Sequence, residues 1–195
     1  DALRVKVKTE KAIWQEWLSY TINKASDTSA VIRLEWEKIK VPFGFAVTSF
    51  AYRYFLEKNE LDKKIHDILD GLNTNNIHEL ERAGSKVREL ILSSKFPEDL
   101  ENEIISAYKE LGEKLNVDLE DLDVAVRSSA TAEDLPNASF AGQQESYLNV
   151  HGNHRLLESI KMDYSNLFTN RAISYREDQN FDHLKIALSK KKKKM

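Results

Sequence analysis

Apolar residues recur at helical spacing through the middle of the chain. Leu61, Ile65, Ile68, Leu69 and Leu72 fall three or four positions apart, and Gly71 lies where such a helix would stop. Asn76 precedes Ile77 with Glu79 three residues on, a variant of the capping box, and Ile77, Leu80, Val87, Leu90 and Ile91 line one face. A third helix is predicted from Pro97. Glu98 and Asp99 suit the positive end of its dipole, Leu100, Ile104, Tyr108 and Leu111 form its stripe, and Gly112 is its expected end. Farther on, Leu156, Ile160, Tyr164, Leu167 and Phe168 mark a long helix. Trp14 and Trp17 predict an amphipathic helix near the N-terminus, and with Trp36 they read as core or interface residues. The charged sides of the three middle helices read as solvated surface, with no catalytic constellation on them.

Strand signals are fewer. They fall at Phe45-Ala46-Val47-Thr48, at Val124-Ala125-Val126, at Tyr147-Leu148-Asn149-Val150, and at the start of a fourth segment near Leu184. Helices and strands mix without a strict βαβ repeat, so the predicted class is α+β, helix-rich and in two lobes. The expected boundary lies near Asn116-Val117-Asp118. It gives a helix-rich lobe over 1–116 and a strand-loop-strand and helix lobe over 117–195.

Composition narrows the function classes. At 195 residues and 41% apolar content the chain can bury a core, and with 31% charged residues it holds no apolar run long enough for a membrane span. The first residues, Asp1-Ala2-Leu3-Arg4-Val5-Lys6, lack the basic-then-apolar order of a secretory leader, and the absence of cysteine fits a reducing compartment, so a cytoplasmic setting is expected. Five of the 29 basic residues form a run at 190–194, to which no function is assigned; the other 24 face 32 acidic residues, a balance of −8. That acidic body argues against a nucleic-acid surface, so any anion site must be built locally. The five histidines, His66, His78, His151, His154 and His183, show no metal-ligand spacing, and no metal site is expected within the chain.

The informative stretch is 123–144. A strand delivers Arg127 at its end, and Ser128, Ser129 and Thr131 follow as small hydroxyl donors whose backbone amides can approach an anion closely. Gly142 allows a second loop to close over the ligand. Such a set suits a polyphosphate, because arginine brings a permanent charge and a planar donor fork. On spacing alone the better reading is plainer: a surface turn with Arg127 paired to Glu133 or Asp134.

The whole string tips that balance. Val126-Arg127-Ser128-Ser129-Ala130-Thr131-Ala132-Glu133-Asp134-Leu135-Pro136, followed by Ala138-Ser139-Phe140-Ala141-Gly142-Gln143-Gln144-Glu145 and Leu148-Asn149-Val150, resembles the nucleotide-binding signature of the phosphoenolpyruvate synthase (pyruvate, water dikinase) family. Val41-Pro42-Phe43-Gly44-Phe45 and Leu167-Phe168-Thr169-Asn170-Arg171-Ala172-Ile173-Ser174-Tyr175-Arg176 extend the resemblance over 41–188. It implies an ATP-grasp fold with nucleotide between lobes, and an enzyme that carries the β-phosphoryl of ATP through a phosphohistidine to pyruvate. It makes Arg127 the catalytic phosphate ligand and Ser128, Ser129, Thr131, Gly142 and Gln143 further ATP contacts. Magnesium ligands, phosphohistidine and pyruvate site are expected outside this chain, which alone should not complete the reaction. A homo-oligomer is also expected.

The N-terminal forty residues depart from the family pattern. Where the family has a Gly-Gly-Lys-Gly-like phosphate loop, this chain reads Thr21-Ile22-Asn23-Lys24-Ala25-Ser26-Asp27, leaving Lys24 as the one matching cation without the glycines that would wrap amides around a phosphate. Two other readings stand beside the first: a related dikinase or phosphotransferase with another acceptor, and a non-catalytic oligomer-assembly module.

Overall fold

A long hairpin precedes the helices. The computed structural model describes residues 9–127, 145–179 and 181–184. In it β1 (Glu10–Lys24) pairs antiparallel with β2 (Ser29–Val47). The helix expected around Trp14 and Trp17 is therefore a strand. The segment is rich in Ile, Trp, Tyr and Thr, which suit a pleated surface, and β2 gives it a partner of matching length. The ladder is regular from Ser19↔Glu35 to Lys24↔Ala30, but two register shifts between Lys11 and Ser19 throw β1 out of step. Ile13, Trp14, Trp17 and Leu18 are exposed there, so Trp14 and Trp17 are not core residues. The strand expected at 45–48 proves to be the last part of β2.

Four helices follow: α1 (Ser49–Lys58), α2 (Leu61–Leu69), α3 (Ile77–Ser93) and α4 (Glu98–Leu115). The Thr48 hydroxyl caps α1 by accepting the Ala51 N–H. Asn76 caps α3 as its sequence predicts, accepting from the His78 and Glu79 amides while its Nδ2 donates to Glu79 at 2.7 Å. Ile77 is exposed, however, so the buried stripe of α3 begins at Leu80. Nor does α4 end at Gly112. It runs to Leu115 and closes on a left-handed Asn116, with Asn116 N donating to Glu113 O and Val117 N to Gly112 O. Gly112 is small for a different reason: a Cβ there would meet Val117 O at 3.2 Å and a Leu122 methyl at 3.3 Å.

Beyond α4, β3 (Val124–Arg127) pairs antiparallel with β4 (Ser146–Val150), followed by α5 (Asn153–Asn166) and α6 (Asn170–Asp178). The single long helix expected here is two, because Thr169 turns extended and its hydroxyl caps α6. The result is a mixed α+β fold whose described sheets are two antiparallel pairs. Its core centres on Tyr164, whose ring lies 4.9 Å from Tyr52, 5.5 Å from Phe55 and 6.3 Å from Phe96. One apolar cluster takes residues from α1 through α6, so the segments on either side of 116–118 share a core. No helix among the described residues is long and apolar enough to cross a membrane.

Tyr108 fastens the second half to the first. Its ring is fully buried on α4, and its hydroxyl donates to Leu122 O at 2.5 Å and accepts the Gly152 N–H at 3.2 Å. Leu122 lies just before β3 and Gly152 just after β4, so one oxygen holds both feet of the strand pair. Gly152 sits at φ 76°, a backbone that an L side chain would strain. Tyr108→Phe leaves a buried carbonyl and a part-buried N–H unpaired. The expected loss of unfolding free energy is about 1–3 kcal/mol, measurable by urea denaturation.

Candidate functional site

β3 presents Arg127 by alternation. Val124 and Val126 face inward and pack against the core, while Ala125 and Arg127 are exposed. The strand is thus half-buried, because its described sheet has two strands and α5 lies against it. Its partner register runs Val124↔Val150, Val126↔Tyr147 and Arg127↔Ser146, with a shift between the first two pairs. Asn149 absorbs that extra residue in a left-handed conformation, φ 54°. At the feet of the pair, His151 Nδ1 lies 3.4 Å from Asp123 Oδ1. Arg127 is the last residue of β3 and has no ion-pair partner among the described residues. Ser128, Ser129, Thr131, Gly142 and Gln143 lie outside the described residues, as do the alternative partners Glu133 and Asp134.

Residues 21–27 run from the end of β1 into a hydroxyl-rich turn before β2. Ser26 Oγ accepts the Thr28 and Ser29 amides, both at 3.0 Å, which directs its own proton outward. That proton goes to Glu103 of α4. Thr28 Oγ1 donates to the other Glu103 oxygen, and Ser29 Oγ joins the first at 3.2 Å. Burial of the Glu103 carboxyl opposes its charge, yet the three hydroxyls outweigh burial and hold its pKa below the ordinary glutamate value. Lys24 Nζ is engaged by the Asp27 carboxylate at the surface. A cleft of about 200 Å³ opens beside the turn, lined by Ser26, Ser29, Phe45, Glu103 and Glu110 among others. Neither Lys24 nor Arg127 lines it. Sequence reading missed Glu103, since a glutamate on a charged helix face has no local signal that marks it as a partner of a turn 75 residues away.

Arg176, which closes the second signature segment, is buried against the Phe168 ring, 5.2 Å from its centroid. Burial lowers its pKa to about 10. Its Nε donates to His183 Nδ1 at 3.0 Å, and His183 Nε2 meets Glu177 Oε1 at 2.6 Å. This chain of contacts pins residues 181–184 to α6. It is a structural tie; Leu184 lies in a turn, and the rest of the fourth strand signal lies outside the described residues. No group of three His, Asp or Glu side chains among the described residues converges to hold a metal.

The described residues thus form a helix-rich α+β domain with Arg127 exposed at the end of β3. Residues 23–195 match the family described as pyruvate phosphate dikinase, AMP/ATP-binding domain, and the chain belongs to that family. Among its relatives are proteins named phosphoenolpyruvate synthase. One from Aquifex aeolicus is 54% identical over 151 residues, covering 77% of this chain and 17% of that protein. Another from Helicobacter pylori is 51% identical, covering 77% and 18%, and one from Escherichia coli is 42% identical over 165 residues, covering 85% and 20%. The chain thus spans a fifth or less of the length of these relatives.

The lowered Glu103 pKa has a fixed sign. A carboxylate whose folded pKa lies below its unfolded one adds stability that is complete at neutral pH and disappears as pH falls through the folded value. Unfolding free energy of the parent chain should therefore fall from pH ~5 downward more steeply than that of Glu103→Gln, measured by denaturation at several pH values.

Proposed function

We propose that this chain supplies the ATP phosphate contacts of a phosphoenolpyruvate synthase. The whole protein would convert ATP, pyruvate and water to AMP, phosphoenolpyruvate and phosphate, through a phosphohistidine and a pyruvate site outside these residues. The observation that carries the reading is Arg127: an exposed guanidinium without an ion-pair partner among the described residues, at the end of a strand that runs into Ser128 and Ser129, in a chain of the AMP/ATP-binding family. Ser128, Ser129 and Thr131 are proposed as neutral donors to the same phosphates, with Gly142 and Gln143 closing over them and Lys24 as an outlying contact. An ATP-grasp arrangement, with nucleotide in a cleft between lobes formed around 1–116 and 117–195 that also meet in the shared core, belongs to this proposal, as do a cytoplasmic setting and a homo-oligomer.

Phosphoryl transfer chiefly requires alignment and neutralisation of charge spreading over the phosphate oxygens, so a fixed cationic fork contributes without any nucleophile on this chain. Among the described residues no group of three His, Asp or Glu side chains converges to hold magnesium. The acceptor is assigned by relatives' names alone, so a dikinase with another acceptor shares the same chemistry here. The assembly-module reading draws on a separate observation, the exposed Ile13, Trp14, Trp17 and Leu18 of β1, and predicts an oligomer whose size persists without nucleotide binding.

Arg127→Ala should weaken ATP binding to the full-length protein by about 1.5–3 kcal/mol, the range for a lost charge-assisted hydrogen bond. Calorimetric titration reads this directly. Unchanged affinity would remove Arg127 from the site.

A further inference from the structure

The turn between β1 and β2 already holds an oxyanion. Both oxygens of Glu103 are taken by the Ser26, Thr28 and Ser29 hydroxyls, and the amides of Thr28 and Ser29 fix the direction of the Ser26 proton. The one lysine of the turn, Lys24, is likewise engaged by Asp27. On the cleft wall, Lys114 is bound to Glu110 at 2.5 Å, so it too is neutralised from within. We propose that this turn is an oxyanion receptor closed by the chain's own carboxylates, and that a phosphate group gains its donors only when Glu103 leaves. The inference rests on the nucleotide reading above and adds a gate to it.

The geometry gives the gate its logic. A carboxylate and a phosphate present comparable oxygens to hydroxyl donors, so they compete for one set of hydrogen bonds. Glu103 also places a negative charge where a phosphate would sit, so its presence excludes the ligand by repulsion as well as by occupancy. The cleft beside the turn leaves room for the side chain to swing away, because Ser26, Ser29 and Glu103 all border it. Binding to a receptor that is open for only a fraction of the time is weakened by that fraction. Neutralising Glu103 therefore raises affinity for a polyphosphate, and the gain depends on the hydroxyls that Glu103 releases.

The test uses inorganic tripolyphosphate, which carries no adenine; any binding at Arg127 is common to all the variants compared, so the difference between them reports on the turn. Calorimetric titration of the full-length protein compares the parent, Glu103→Gln, and Glu103→Gln combined with Ser26→Ala and Thr28→Val. The gate predicts at least about fivefold tighter binding for Glu103→Gln, and loss of that gain in the triple variant. Equal dissociation constants in parent and Glu103→Gln, or a gain that survives removal of the hydroxyls, would overturn it. Should Glu103→Gln not fold, Glu103→Asp, whose shorter side chain loosens the hold on the three hydroxyls, is expected to tighten tripolyphosphate binding, with no change counting against the gate. Titration of ATP into Arg127→Ala separates the two claims: a loss there with no gain in Glu103→Gln sinks the gate and leaves the nucleotide reading standing.

Discussion

One phenolic oxygen decides where the candidate chemistry sits. Tyr108 is anchored by α4, and its hydroxyl grips the chain immediately before β3 and immediately after β4. A two-stranded sheet is marginal by itself, so the β3–β4 pair depends on something outside it for position. The valines of β3 fix which face turns to the core, and the pairing with β4 fixes the register. The two hydrogen bonds to Tyr108 tie that pair to α4 at the end opposite Arg127. Position of the guanidinium thus depends on a bond made at the far end of its strand.

Two anion-attracting features of this chain contrast in their state. Arg127 extends from a strand end with its charge exposed, whereas the β1–β2 turn spends its donors on Glu103 and Asp27. The difference follows from the elements behind them. Alternation along β3 turns Arg127 outward at the last residue of the strand, while a turn packed against α4 meets whatever that helix presents. In an acidic chain the helix presents glutamate.

How much of this could be read from the residues alone varies with the range of the forces involved. Helices α2, α3 and α4 were legible because their stripes and caps are local: Asn76 and Glu79 interact within one turn. β3 was legible as a strand running into Arg-Ser-Ser, and the family match supports the reading of that stretch. Helix α1 and the break between α5 and α6 were not, since each depends on a threonine cap that resembles any other threonine in the sequence. Trp14 and Trp17 misled because a three-residue spacing reads as one helix face, and the hairpin partner that overrides it lies some twenty residues away. Gly112 misled in the opposite sense: its lack of a side chain answers a close approach by Val117 and Leu122 and not the end of a helix. Of the candidate site, the place of Arg127 at the end of a strand was legible, while Ser128, Ser129 and Thr131 lie outside the described residues; Glu103 and Tyr108 were not legible, because both act on residues distant in sequence.

The most direct test of the account is the ATP affinity of Tyr108→Phe, measured at a temperature where circular dichroism shows the variant folded. Arg127 is chemically intact in that protein, and only the hold on the feet of β3 and β4 is lost. The account predicts weaker ATP binding together with faster amide exchange at Gly152 and along β3. Parent-like affinity in a folded Tyr108→Phe would contradict it, since Arg127 would then be placed without the bond on which its position is said to depend.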